Sequence, residues 1–203
     1  GGSLMSYTLD GTDWLQIGNA LPIVNVVDLS ICSLSNTDVV FTDSVNQTFQ
    51  RYTFDGSDWT TVGNDTAIPG ANNGSPAICY YDTDDICYID SAVDKLQVYH
   101  FNGSDWSLVG NDIEIIGCGV PGLGYLSGTN IVFIDSNLDS LRRYNFDGSD
   151  FTLVGNSLEI QNTAIVYSAL CTLNQTDIAL VNSNVAPSKT IQTYRFNGIN
   201  WTP

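Results

Sequence analysis

The sequence predicts an all-β protein in which one antiparallel four-stranded sheet is repeated along the chain. A thirteen-residue phrase from Tyr99 to Asn111 reads Tyr-His-Phe-Asn-Gly-Ser-Asp-Trp-Ser-Leu-Val-Gly-Asn. Four other copies, the last one shortened, begin at Tyr7, Tyr52, Tyr144 and Tyr194. The copies follow one another at intervals of about 45 to 50 residues, a period that indicates stacked structural repeats.

The composition agrees with a folded, strand-rich domain. Apolar residues make up 43% of the chain and charged residues 14%, which is typical of folded proteins rather than disordered ones. Val, Ile, Leu, Tyr and Phe are frequent while Lys and Glu are scarce, and this bias favours strands over helices.

The best-preserved unit shows how each repeat folds. Four short apolar runs, which we call strands a, b, c and d, are predicted over residues 76–81, 86–89, 96–101 and 106–109, with polar turn residues between them. The turn between c and d contains Asn102-Gly103, and such a pair supplies the positive φ that a tight hairpin requires. The unit is therefore predicted to be an antiparallel meander.

The same plan divides the chain into one half-unit and four complete units. The half-unit covers 4–19 and holds strands c and d only. The complete units cover about 22–66, 74–113, 118–159 and 163–203, and we number them one to four. The repeat is interrupted at both ends. We expect this of a segment cut from a longer array, or of a chain that carries the remnant of a linker.

Aromatic residues recur at fixed positions of strands c and d. In three consecutive units they are Tyr52 and Trp59, Tyr99 and Trp106, and Tyr144 and Phe151. Since every copy has an aromatic side chain at the start of strand d, we interpret these columns as the filling between stacked sheets. Stacking of the tryptophans on a carbohydrate is the alternative interpretation.

The repeat resembles the blades of short-bladed β-propellers. The phrase Y-x-F-[DN]-G-[ST]-D-W-x-x-V-G-N is also similar to repeats of virion, phage-tail and cell-surface proteins. The resemblance implies one propeller domain over 1–203, with four complete blades and an extra half-blade in a four- or five-bladed ring. A β-solenoid is the alternative fold.

The charge of the chain limits its partners. Its formal net charge is −16 and it contains only six Lys and Arg, which argues against nucleic acid and against an anionic membrane surface. No apolar run is long enough for a membrane span. A glycan or a protein surface, and neighbouring copies of the chain, are the partners that we expect.

The sequence lacks a recognisable catalytic set. His100 is the only histidine, and no nucleophile signature or phosphate-binding loop accompanies it. We therefore predict that the protein is not an enzyme. A hydrolase or lyase that uses carboxylates at the axial channel is a minor alternative.

Polar residues cluster at one expected rim of the propeller. Alternating strands should place the b–c and d–a connections on one side (the b–c rim) and the a–b and c–d turns on the other (the c–d rim). The candidate ligand-binding residues of the b–c rim are Asp43, Asn64, Asp90, Asp94, Asn111, Asp135, Asp139 and Asn156. Their ordinary role would be to cap their own turns.

Calcium is the cofactor that this rim could hold, and no other cofactor is predicted. Asp90 with Asp94, and Asp135 with Asp139, could each offer two carboxylates to Ca²⁺, which prefers several hard oxygen ligands. Neither pair has the ligand spacing of an EF-hand.

The five cysteines do not form a metal-binding or redox motif. Cys32, Cys79 and Cys171 share one position of the repeat, and Gly124 occupies it in the remaining unit, which predicts a crowded, buried site for small side chains. A disulfide between Cys79 and Cys87, across one hairpin, is left open.

These observations lead to two functional hypotheses. The first is a non-enzymatic recognition or adhesion module that is displayed on a virion, phage tail or cell surface and binds a glycan or protein through one rim. The second is a structural unit that pairs with neighbouring chains through unpaired strand edges.

Overall fold

The structure is a computed structural model, and the strand is the only regular structure in the part of the chain that it describes. The described residues are 2–23, 29–43, 45–68, 76–90, 92, 94–115, 119, 121–135, 140–160, 169–182 and 190–203, with the backbone alone described for Asp90, Asp135, Ala169 and Asn182.

The strands form one hairpin and four larger sheets. The hairpin unit consists of β1 (Gly2–Leu9) and β2 (Trp14–Ile23). The first sheet contains β3 (Ser30–Ser33), β4 (Asp38–Asp43), β5 (Thr48–Phe54), β6 (Trp59–Thr61) and β7 (Thr66–Ala67). The second contains β8 (Pro76–Asp82), β9 (Asp85–Asp90), β10 (Lys95–Phe101) and β11 (Trp106–Glu114).

The last two sheets repeat the same arrangement. The third contains β12 (Gly122–Ser127), β13 (Asn130–Asp135), β14 (Ser140–Phe146), β15 (Phe151–Leu153) and β16 (Leu158–Glu159). The fourth contains β17 (Ala169–Thr172), β18 (Asp177–Asn182), β19 (Thr190–Phe196) and β20 (Trp201–Thr202). Each larger sheet has the antiparallel order a-b-c-d, as predicted.

The strand bounds differ from the prediction mainly in strands a and d. Strand a of unit one was expected over 24–32, but the observed β3 begins at Ser30 and residues 24–28 lie outside the described part. Strand d of unit two was expected over 106–109, but β11 extends to Glu114 because it resumes pairing with β10 after a bulge at the Gly-Asn pair. In units one and three the pairing resumes as the separate short strands β7 and β16.

The innermost strands lie side by side, so the sheets follow one another in chain order. Strand β8 lies between β3 and β12, and β12 lies between β8 and β17. A cluster of buried apolar side chains fills the space between each two consecutive sheets. The core therefore consists of separate layers between sheets, as expected when repeats bury one another's faces.

Phe49 illustrates how one layer is packed. It lies on β5 of the first sheet and is fully buried, with its ring 4.8 Å from that of Tyr99 and 6.1 Å from that of Trp106, both on the second sheet. Tyr88 of β9 approaches the same ring edge-on at 5.0 Å. Tyr99 and Trp106, two residues of the repeated aromatic columns, therefore pack on the preceding sheet at this junction.

Phe49→Ala should reduce the free energy of unfolding by about 3–5 kcal/mol, because it removes a ring and leaves a cavity between two sheets. Leu153→Ala, at an exposed position of β15, is the control and should change it by less than about 0.5 kcal/mol. Chemical denaturation followed by tryptophan fluorescence would measure both values. Equal losses in the two variants would contradict this account of the core.

Candidate functional site

Asp43, which ends β4 at the b–c rim, caps its own turn. It is buried, and its carboxylate accepts hydrogen bonds from the backbone N–H groups of Val45 (2.9 Å) and Asn46 (3.0 Å) and from Nδ2 of Asn46 (2.6 Å). These donors occupy the carboxylate, so Asp43 performs the turn-capping role rather than presenting a free ligand.

Of the other acidic residues assigned to this rim, Asp94 is the one whose backbone and side chain both lie within the described part of the chain. The backbone carbonyl of Asp94 accepts a hydrogen bond from Ile115 N at 2.6 Å, and its φ of 53° places it in a left-handed turn. The side chains of Asp90 and Asp135, and all of Asp139, lie outside the described residues. Among the residues described, no three His, Cys, Asp or Glu are grouped to hold a metal ion, and the calcium sites remain a prediction.

The three asparagines assigned to the b–c rim engage the opposite rim of the next unit. Nδ2 of Asn64 donates to Asp105 Oδ1 (3.1 Å), that of Asn111 to Asp150 Oδ1 (2.9 Å), and that of Asn156 to Asn200 Oδ1 (2.9 Å). The placement differs from the sequence analysis because strand d bulges at each Gly-Asn pair and turns the amide towards the following sheet. Their role as ligand-binding residues remains a prediction.

The main chain reinforces this contact, which we call the Gly-Asn clamp. The backbone N–H of Asn64 donates to Ser104 O at 2.7 Å, and equivalent bonds join Asn19 to Ser57, Asn111 to Ser149 and Asn156 to Ile199. Gly63 has a φ of 75°, and a Cβ at this position would clash with Ser104 O and lie 2.6 Å from the ring of Phe101. Only glycine fits this close approach.

The turns that receive the clamp are shaped by their first residue. In the c–d turn of unit three, Asp147 Oδ1 accepts hydrogen bonds from Ser149 N (2.8 Å) and Asp150 N (2.9 Å). The backbone N–H of Asp150, followed by that of Ser149, lowers the pKa of the Asp147 carboxyl below its ordinary value. Asn102 makes the same two bonds with its amide oxygen in unit two, so the turn accepts a neutral group as well.

A crevice on the c–d rim brings charged and aromatic groups together between the first two sheets. Arg51 of β5 donates from Nη1 to Asp84 Oδ1 at 2.7 Å, and its guanidinium lies 4.8 Å from the centre of the Phe101 ring. Its buried Nε has no acceptor among the described residues. Half-exposed His100, whose Nδ1 lies 2.6 Å from Asp85 Oδ1, also lines this space of about 470 Å³.

Related groups meet between the third and fourth sheets. The guanidinium of Arg143, at the position of Arg51 in its unit, lies 4.6 Å from the centre of the Phe196 ring, and its Nε donates to Asn130 Oδ1 at 3.2 Å. Burial lowers the pKa of Arg143. The sequence analysis missed both arginines, although aligning the copies on strand c would have shown that this position alternates between Arg51, Val98, Arg143 and Thr193.

A cavity lies where the innermost strands meet. It measures about 660 Å³ and contains the repeated position of Cys32, Cys79, Gly124 and Cys171. A Cβ on Gly124 would lie 2.6 Å from Leu170 Cδ2, which agrees with the crowding expected there. The expected burial holds for Cys79 but not for Cys171, which is exposed, and Cys32 is only partly buried. The described residues that line it include no Asp, Glu, His or Lys.

The cysteines near this cavity are free thiols. Cys79 lies directly opposite Cys87 in the β8–β9 ladder, a closer pairing than the sequence indicated, but no disulfide joins them. Burial raises the pKa of the Cys79 thiol, and a contact with Cys87 raises it further. The Cys79 thiol is therefore held protonated and weakly nucleophilic.

Comparison with known proteins shows the fold. No protein-family model and no curated protein matches the chain. The six-bladed β-propeller lectin of Aleuria aurantia is similar in structure, with a TM-score of 0.66 and 14% identity over 98% of this chain and 69% of its own. A protein from Lactobacillus plantarum has a TM-score of 0.71 and 14% identity over 99% of this chain and 63% of its own.

An enzyme shares the same architecture. Virginiamycin B lyase from Staphylococcus aureus has a TM-score of 0.60 and 16% identity over 94% of this chain and 58% of its own. The likeness confirms the propeller fold and disfavours the solenoid, whereas a ring of four or five blades is not confirmed.

The described residues contain no helix with the length and apolar character needed to cross a membrane.

Gly63→Ala should destabilise the protein more than Gly103→Ala. Both glycines have positive φ, which costs an alanine about 1–2 kcal/mol, but only the Cβ at residue 63 also collides with the next unit. Thermal and chemical unfolding would measure the difference. Equal destabilisation would show that the clamp contributes no steric constraint.

Asp147→Asn should weaken the dependence of stability on pH. Because the folded pKa of Asp147 is lowered, its ionised form contributes stability above the ordinary carboxyl pKa, and this contribution is lost as the pH falls through the lowered folded value. The thermal midpoints of wild type and variant should therefore converge as the pH falls through that range. A difference that stays constant with pH would contradict the assignment.

Proposed function

We propose that this chain is a non-enzymatic recognition module that binds a carbohydrate in the crevice of the c–d rim between the first and second sheets. The observation that carries the proposal is the meeting of Arg51, Asp84, His100 and Phe101 around one open space. The Phe101 ring is buried and packs against the guanidinium of Arg51, so the groups open to a ligand are charged donors and acceptors. Such groups suit a ligand with many hydroxyl groups.

Two further findings support a glycan as the ligand. The Aleuria aurantia lectin, a structural neighbour, was solved in complex with alpha-methyl-L-fucoside, and this chain has the same type of fold. The net charge of −16 leaves a neutral sugar among the compatible ligands. Display on a virion, phage tail or cell surface, where glycans are encountered, is the setting that we propose.

The described contacts favour the c–d rim over the rim chosen from the sequence. At the b–c rim, the carboxylate of Asp43 is occupied by its own turn. In the crevice, the side chains of Asp84 and His100 are partly exposed and face a space large enough for one sugar residue.

A glycan array followed by calorimetry on the best ligand would test the proposal. Arg51→Met keeps an unbranched side chain but removes the guanidinium and its charge, and it should weaken binding about tenfold or more, since a hydrogen bond to a charged group contributes roughly 1.5–3 kcal/mol. Arg142→Met, a half-buried arginine of β14 outside the crevice, is the matched control and should leave affinity unchanged.

Two results would contradict the proposal. Absence of binding across the array would argue against carbohydrate recognition altogether. Equal affinity of wild type and Arg51→Met, with the fold intact by circular dichroism, would place the binding surface elsewhere.

A second candidate function is a structural unit that joins neighbouring chains. It is favoured by β1, which pairs only with β2 among the described residues and so offers an unpaired edge to another strand. A mass equal to one chain at high protein concentration would contradict it.

A further inference from the structure

Apolar side chains of the fourth sheet are exposed although their counterparts in the other sheets are buried. Ile191 of β19 is 76% exposed, whereas Phe49, Leu96 and Leu141, at the same position of strand c, are 0% exposed. Leu173, which follows β17, is also exposed. Its counterparts Leu34, Tyr81 and Leu126 are buried.

The hairpin unit leaves exposed the opposite face of the repeat, which in the second sheet packs on the preceding sheet. Trp14 of β2 is 68% exposed, whereas Trp106 and Trp201, at the same position of strand d, are 4% exposed. Tyr7 and Leu9 of β1 are about half exposed, while their counterparts in the second sheet, Tyr99 and Phe101, are buried.

The junction between the first two sheets shows how these two sides fit together. There, Phe49 is covered by Tyr99 and Trp106, with ring centres 4.8 Å and 6.1 Å away. Ile191 is the counterpart of Phe49, and Tyr7 and Trp14 are the counterparts of Tyr99 and Trp106. The fourth sheet and the hairpin unit therefore carry the two halves of an interface that the chain already builds internally.

We propose that the hairpin unit of one copy of this chain docks on the exposed face of the fourth sheet of a second copy. The contact is head-to-tail, because the two surfaces are different, and it places Tyr7 and Trp14 over Ile191 of the neighbour. It is a face-to-face packing of apolar side chains and does not require pairing of strand edges.

Electrostatics sets the conditions for this association. Two copies, each with a formal net charge of −16, repel one another at low ionic strength. The side chains placed in contact, Tyr7, Trp14 and Ile191, are uncharged, and the nearby ion pair of Arg195 with Asp177 lies within the fourth sheet. Added salt therefore screens the repulsion between copies without weakening this apolar contact. Association should therefore increase with salt, the opposite of an interface held by ion pairs.

Light scattering coupled to size exclusion, over a range of protein and salt concentrations, tests the proposal on the whole chain. We expect the weight-average mass to rise to about twice that of one chain, or beyond, as concentration and salt increase. Trp14→Ser and Ile191→Ser should each hold the mass at that of one chain. Leu153→Ser, which removes an equally apolar exposed side chain from β15, should behave as wild type.

A mixing experiment distinguishes head-to-tail docking from a symmetric contact. Trp14→Ser retains the face of the fourth sheet and Ile191→Ser retains the face of the hairpin unit, so an equimolar mixture should form dimers that neither variant forms alone. Both positions are exposed in one chain, and unchanged thermal midpoints would verify that the variants remain folded.

Three outcomes would overturn the proposal. The first is a wild-type mass of one chain at all concentrations and salts. The second is one-chain mass with Trp14 protected from acrylamide quenching, which would mean that the two faces meet within a single chain. The third is a mixture of the two variants that stays at one-chain mass.

Discussion

The burial of each sheet by its neighbour is the constraint on which the structure depends. A sheet of four short strands has two faces and cannot cover either of them alone. In this chain the cover comes from the next copy of the same sheet, as Phe49 beneath Tyr99 and Trp106 illustrates. The Gly-Asn clamp sets the spacing and angle of this packing, since it ties the bulge of each strand d to the following c–d turn.

The sequence was sufficient to predict what lies within one repeat. The hairpin at Asn102-Gly103 and the order of strands a to d follow from local turn chemistry and apolar runs, and the structure agrees with them. Such features depend on short-range geometry, which a single sequence contains.

The sequence did not reveal the contacts made between repeats. Gly63-Asn64 reads as an ordinary turn, and only the bulge in strand d carries its amide to Asp105 of the next unit. The hydrogen bonds of Asp43 and the crevice at Arg51 were likewise not predictable from the sequence. Whether a carboxylate is occupied by its own turn, or lies beside a guanidinium from another sheet, depends on distances across the chain that repeat spacing does not encode.

The division between constant and variable positions bears on how such a protein can change its ligand. The clamp uses the same two residues at each junction, whereas the neighbouring position of strand c holds Arg51, Val98, Arg143 or Thr193. Substitution at this variable position leaves the Gly-Asn bonds and the buried rings in place. The crevice chemistry can therefore diverge from one junction to the next without disturbing the packing, so the junctions need not bind the same ligand.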